Sequence, residues 1–305
     1  MECDLSVKIG SLNLKNPVLT ASGTFGYGRE YDDYLDISRL GALITKTITL
    51  EPREGNPMPR IAETPAGMLN SIGLSNVGAR RYLDEKLPLL QDIDTAVITN
   101  VAGNTIEEYG QVVEFVQNHP RIDGFEINVS CPNVKRGGLA FGTDAGTTAD
   151  VVRAVRKATE KTIIVKLTPN VTDITDIAKA AEDSGADAVS CINTVIGLAV
   201  DMASRRPKLA KITGGLSGPA IKPIALAKVY QVANAVRLPV IGVGGIMNWR
   251  DAVEFFMAGA TAIQVGTLNF IEPCGAIRII DGLEAYCRQN SLSHVKELTG
   301  SMRLE

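Results

Sequence analysis

A cysteine followed by a proline ends the run Gly124–Pro132, GFEINVSCP. Phe125, Ile127 and Val129 alternate with Glu126, Asn128 and Ser130, which is the period of a strand. Proline cannot donate to a strand ladder, so the strand should stop there and leave Cys131 at its mouth. The residues that follow, NVKRGGLAFG, hold two adjacent glycines and two basic side chains, which suits a loop closing over a ligand, with 135–143 as its lid. A thiol so placed is a candidate proton acceptor, whereas an inert cysteine more often sits mid-strand. The two histidines are poorer candidates: His119 lies in the turn NHPR before this strand, and His294 lies in the C-terminal tail.

Polar residues also close the other β-prone runs. Ser22 ends Pro17–Ser22, Lys46 and Thr47 end Ala42–Thr47, and Asn100 stands near the end of Thr95–Val101. Asn128 falls in Gly124–Ser130, Lys166 in Thr162–Leu167, and Asn193 and Thr194 end Ala188–Thr194. Gly244 and Gly245 follow Pro239–Val243, while Gly266 and Thr267 follow the run Ala262–Gly266. Taken singly, each has a plain explanation: a lysine can snorkel to solvent and an asparagine can serve a turn. Taken together, buried polar groups at nearly every strand end predict convergence on one polar ligand, because an unsatisfied one costs roughly 1–3 kcal/mol. The segments GVGGI and VGT supply glycine amides where a phosphate can approach closely. A phosphorylated ligand with a planar part flanked by Lys166 and Asn100 suits FMN, since a lysine at the N1/O2 edge stabilises the charge of the reduced ring.

The elements that must position these residues repeat. Eight short β-branched runs alternate with segments of helical period, among them Ile106–Gln117, Thr148–Thr159, Ile174–Ser184, Pro219–Val236 and Trp249–Ala258. Eight such units in roughly 250 residues predict an α/β chain folded as a (β/α)8 TIM barrel. A doubly wound sheet competes, but no GxGxxG follows the first strand. Residues 5–15 read as an N-terminal β-hairpin about Gly10-Ser11, placed as a plug for the barrel floor. Two insertions, Thr47 to about Asn76 and Ile196 to about Gly218, follow strand C-terminal ends, the face where barrels build their sites. No linker divides residues 1–305, which read as one domain.

Of the 305 residues, 45% are hydrophobic and 21% charged, with a net charge of −3. That balance carries no basic footprint for nucleic acid. No run approaches the ~18 apolar residues of a membrane span, and the N-terminus lacks a signal-peptide pattern. Five scattered cysteines without a CxxC pair favour a reduced, cytoplasmic setting, no metal site, and no iron–sulfur cluster held by this chain alone.

Several segments then carry a family resemblance: SGTFGYG (22–28), TKTIT (45–49), NSIGLSN (70–76), NVSCPNV (128–134), VKLTPN (165–170), INTVIGLAVD (192–201) and GGLSGPAIKP (214–223), with GVGGI and VGT. In order and spacing they resemble the class 1 dihydroorotate dehydrogenases, and NSIGLSN with TGGLSGPAIKP is similar to the 1B subtype. The resemblance implies oxidation of (S)-dihydroorotate to orotate in pyrimidine synthesis. Cys131 then takes the place of the base that removes the C5 proton while hydride passes from C6 to FMN N5. It implies substrate contacts from Lys46, Asn70, Ser71, Ile72, Gly73, Leu74, Asn128, Asn193 and Thr194, with Asn133 joining them. It implies FMN contacts from Ser22, Lys46, Thr47, Asn100, Asn128, Lys166, Ile192, Gly218, Gly244, Gly245, Gly266 and Thr267. It further implies a partner subunit carrying FAD and a [2Fe–2S] cluster that reduces NAD+, around a homodimer of catalytic chains in a heterotetramer. Two other readings stand beside it: a dihydropyrimidine dehydrogenase-type FMN subunit, whose substrate lacks the carboxylate, and a flavin-free phosphate-binding barrel.

Overall fold

The structure is a computed structural model that describes residues 3–130, 132–133 and 139–304. Eight strands form a closed parallel barrel in sequence order: Val18–Thr20, Ala42–Ile44, Ala96–Val101, Gly124–Asn128, Thr162–Leu167, Ala188–Cys191, Val240–Val243 and Ala262–Val265. Ile263 of the eighth strand stands against Val18 of the first, so the sheet has no edge and the doubly wound alternative is excluded. The strands are almost wholly buried, as a sheet covered by helices outside and filled by side chains inside requires. Thr162–Leu167 keeps the full length of its β-prone run, while several others are shorter because their polar ends leave the ladder. Lys46 N, for example, bonds Gly26 O at 2.8 Å rather than a neighbouring strand.

Helices Ile106–Val116, Ala145–Ala158, Ile174–Asp183, Lys222–Ala233, Trp249–Met257 and Gly275–Gln289 pack outside the barrel. Thr105, Asp144, Asp173 and Asn248 cap four of them by accepting a first-turn amide, each worth ~1 kcal/mol. The second helix begins three residues before the expected Thr148 because Asp144 is its cap. The segment Pro219–Val236 is not one helix. Gly218 at φ 94° turns the chain into a short tight turn, Pro219–Ile221, and the α-helix starts only at Lys222. The alternation is also incomplete after the first strand, where only the short turns Arg29–Tyr31 and Ile37–Arg39 occur.

The predicted hairpin is present as Val7–Ile9 and Leu12–Leu14. Ser11 bonds Thr162 Oγ1 through its amide and its hydroxyl, at 3.0 and 2.9 Å, at the N-terminal end of the fifth strand. At the opposite end the two insertions join. Strands Val195–Leu198, Thr213–Ser217, Gly67–Asn70 and Ile61–Thr64 lie side by side in one antiparallel sheet. Among the described residues no helix is long and apolar enough to cross a membrane, and no cluster of metal-ligating side chains occurs.

Candidate active site

A cavity of about 570 Å³ lies between the C-terminal ends of the barrel strands and the insertion sheet. Its floor includes Asn128 and Lys166, which face each other in the register of the fourth and fifth strands. Ser22 and Thr47 stand on one wall with their hydroxyls 3.2 Å apart. Asn193, Thr194 and Ile192 form another wall. Asn193 is oriented from both sides, donating to Ser130 Oγ at 2.9 Å and accepting from Thr194 N at 2.8 Å. The insertion residues Asn70, Ser71, Ile72, Gly73 and Leu74 cover the cavity. Asn70 donates to Gly215 O, and a Cβ at Gly215 would sit 2.0 Å from Thr194 Oγ1, so the two insertions and this wall fit only with glycine there.

At the far end Gly218, Gly244, Gly245, Gly266 and Thr267 line the cavity together. Gly244 and Gly245 have φ of 126° and 76°, in the region that favours glycine. A Cβ on Gly245 would lie 2.7 Å from Lys222 N, so the turn packs directly on the start of the helix Lys222–Ala233. Among the described residues the amides of Gly244 and Gly245 donate to no protein acceptor. Thr267 donates to Ser217 Oγ at 2.8 Å and ties the eighth strand end to the insertion sheet. This is a cradle of free amides at a helix start, which fits a phosphate.

Two predicted residues stand apart. Asn100 does not line the cavity; it sits one layer below, where its Nδ2 donates to Glu126 Oε2 at 2.6 Å. Its Oδ1 is buried without a hydrogen-bond partner among the described residues. Cys131 lies outside the described residues, as do the side chain of Asn133 and residues 134–138. The histidines are far from chemistry: each Nδ1 accepts a nearby backbone amide, from Arg121 and from Lys296.

Sequence reasoning missed Arg53, Asn56, Ser130 and Phe270, which also line the cavity, and Glu126 beneath it. Glu126 shares strand parity with Asn128, so a charge inside a buried strand was visible as a signal. Arg53 had none, because its place depends on how the first insertion folds back to pair with Asn76.

The electrostatics are one-sided. Lys46, Arg53 and Lys166 line the cavity, and no carboxylate does so among the described residues. Burial pushes the Lys46 ammonium below its ordinary pKa, and no acidic side chain pairs with it among the described residues. Buried cations of this kind favour an anionic or electron-rich ligand.

Comparison with known proteins agrees with this chemistry. The family described as dihydroorotate dehydrogenase matches residues 4–287. The chain is 56% identical over 301 residues to the dihydroorotate dehydrogenase B (NAD(+)), catalytic subunit, of Geotalea daltonii, covering 99% of each chain. It is likewise 56% identical over 301 residues to the Bacteroides thetaiotaomicron protein of the same name, again covering 99% of each. The Parabacteroides distasonis protein of that name is 54% identical over 302 residues, with 99% of each covered.

Proposed function

The chain belongs to the dihydroorotate dehydrogenase family, and on that premise we propose that it oxidises (S)-dihydroorotate to orotate as the catalytic subunit of an NAD+-linked enzyme. The observation that carries this reading is the cationic cavity beside the glycine cradle, with Lys46, Arg53 and Lys166 and no described carboxylate. A carboxylate-bearing pyrimidine and a phosphorylated flavin both suit such a site. The uncharged dihydropyrimidine of the rival reading gives no counter-charge to Lys46 and Arg53, neither of which has an ion-pair partner among the described residues.

We assign FMN as the resident cofactor, held by the amides of Gly244, Gly245 and Gly266, by Thr267 and Ser22, and by Lys166. When bound, it accepts the two electrons of the oxidation. The chain's own residues do the rest. Cys131 takes the C5 proton as a thiolate. Asn70, Asn128, Asn193 and Thr194 hydrogen-bond the substrate's polar edges, with Asn193 already fixed by Ser130 and by the Thr194 amide. Lys46 neutralises substrate charge. The insertion segment 70–74 covers the bound substrate and keeps water from the reacting carbon. Residues 1–305 act as one FMN-binding barrel domain in the cytoplasm. The relatives' name, catalytic subunit of an NAD(+) enzyme, supports a partner subunit as the route to NAD+, and we assign FAD and [2Fe–2S] to that partner. The exposed apolar side chains Ile196, Leu198 and Met202 on the second insertion support burial in a subunit interface.

The test is to purify the chain alone and together with a co-expressed flavin and iron–sulfur partner, then follow NAD+ reduction by dihydroorotate and by dihydrouracil. We expect NAD+ reduction only with the partner and only with dihydroorotate; preferential turnover of dihydrouracil would refute the assignment.

A further inference from the structure

A second polar layer lies inside the barrel directly beneath the cavity. Glu126 is fully buried and accepts hydrogen bonds from Asn100 Nδ2 at 2.6 Å, from Ser190 Oγ at 2.8 Å, and from Gln264 Nε2. Lys166, 5% exposed, donates to Gln264 Oε1 at 3.2 Å and stands farther, 3.7 Å, from Glu126 Oε2. Five different barrel strands contribute these five side chains. The Gln264 amide is committed in one orientation, its nitrogen to the carboxylate and its oxygen to the ammonium.

A carboxylate satisfied by three neutral donors exerts less pull on a neighbouring cation than a bare one. The ammonium, held by an amide oxygen, keeps donors for the cavity that Lys166 lines. We propose that Glu126 and Gln264 are positioning residues for Lys166: Gln264 holds the ammonium up toward the flavin, and Glu126 sets the net charge that the flavin feels from below. This rests on the FMN assignment above. It differs from a merely structural polar layer, which would specify strand register and leave the flavin's electronics untouched.

The two roles oppose each other, so their removal has opposite signs. Glu126→Gln keeps the shape, removes a negative charge below the cavity floor, and should move the FMN midpoint potential to more positive values. Gln264→Leu lets Lys166 drop onto Glu126. It should move the potential to more negative values and weaken FMN binding by about tenfold, the loss of one charge-assisted hydrogen bond. Ser190→Ala leaves Gln264 Nε2 as the one remaining described donor to Glu126 Oε1, so the carboxylate is less satisfied and pulls harder on Lys166, which should give a smaller negative shift. The measurements are the midpoint potential of flavin-loaded chain by dye equilibration and FMN titration of the apoprotein, with circular dichroism as the check of folding. Opposite shifts for E126Q and Q264L support the proposal; unchanged potentials, or shifts of one sign in both, overturn it. Should E126Q fail to fold, Q264L and S190A decide alone: negative shifts support the proposal, and absent or positive shifts overturn it. Wild-type apoprotein that takes up no FMN refutes the FMN assignment instead, which separates the two failures.

Discussion

Lys46 and Lys166 share a residue type and a cavity but not an electrostatic setting. Lys166 has Glu126 and Gln264 beneath it, while Lys46 has no described acidic neighbour and burial alone lowers its pKa. The fold therefore penalises charged Lys46. The penalty is complete below the lowered pKa and disappears as pH rises from there to the ordinary value of 10.5. An anionic ligand reverses the preference, so orotate binding within that window should draw a proton in. Calorimetry in two buffers of different ionisation enthalpy should reveal this uptake, and Lys46→Met should abolish it. Cys131→Ala should keep its FMN yet reduce the flavin ~10²–10⁴-fold more slowly, since a positioned base contributes that much. Near-normal reduction in stopped flow would refute the base assignment. Activity should rise toward alkaline pH, because an ordinary thiol ionises near ~8.5. Lys166→Ala should weaken FMN retention, and unchanged retention with an unchanged reduction rate would exclude its cofactor role.

At the scale of elements, the glycine cradle depends on how two helices meet behind it. Asp251 accepts from Met247 N at 2.8 Å, from Asn248 N at 3.2 Å and Nδ2 at 3.0 Å, and from Lys222 Nζ at 2.6 Å. It thereby closes the capping box of helix Trp249–Met257 and ties it to helix Lys222–Ala233, whose start touches Gly245. Asp251→Ala removes a partly desolvated anion from several donors and should cost about 2 kcal/mol. Thermal unfolding should show a lower Tm, and FMN titration a weaker complex, because the Gly244–Gly245 turn loses its backing. An unchanged FMN affinity would show that the turn is rigid without this tie.

At the scale of the molecule, a chain of net charge −3 concentrates cationic side chains in one cavity. Low-dielectric walls focus such a field and steer anions toward the site, an effect that salt screens within about 10 Å at 0.1 M. The KM for dihydroorotate should therefore rise with ionic strength while kcat changes little. Steady-state kinetics across a salt series checks this, and a flat KM would place the charges too deep to act on the approaching substrate. Barrel closure makes the arrangement possible, since residues from sequence positions 21 to 270 reach one cavity only when the eighth strand pairs with the first.

The sequence by itself determined the eight-unit barrel, because a two-residue strand period and a helical period are local properties of the chain. It also pointed to the face where the cavity lies, because polar side chains at the ends of buried strands need a common partner, whereas residues 70–74, Ile192 and Gly218 were legible only through the family resemblance. Helix starts such as Ala145 and Lys222 shifted by three residues, since caps and a positive-φ glycine decide them rather than apolar period. Only the tertiary structure decided that the two insertions form a single sheet over the cavity, that Arg53 reaches its wall, and that Asn100 donates to Glu126 in the layer below. Those outcomes depend on contacts between segments far apart in the chain, and on which layer of a closed barrel each inward side chain occupies. Neither is written in local spacing.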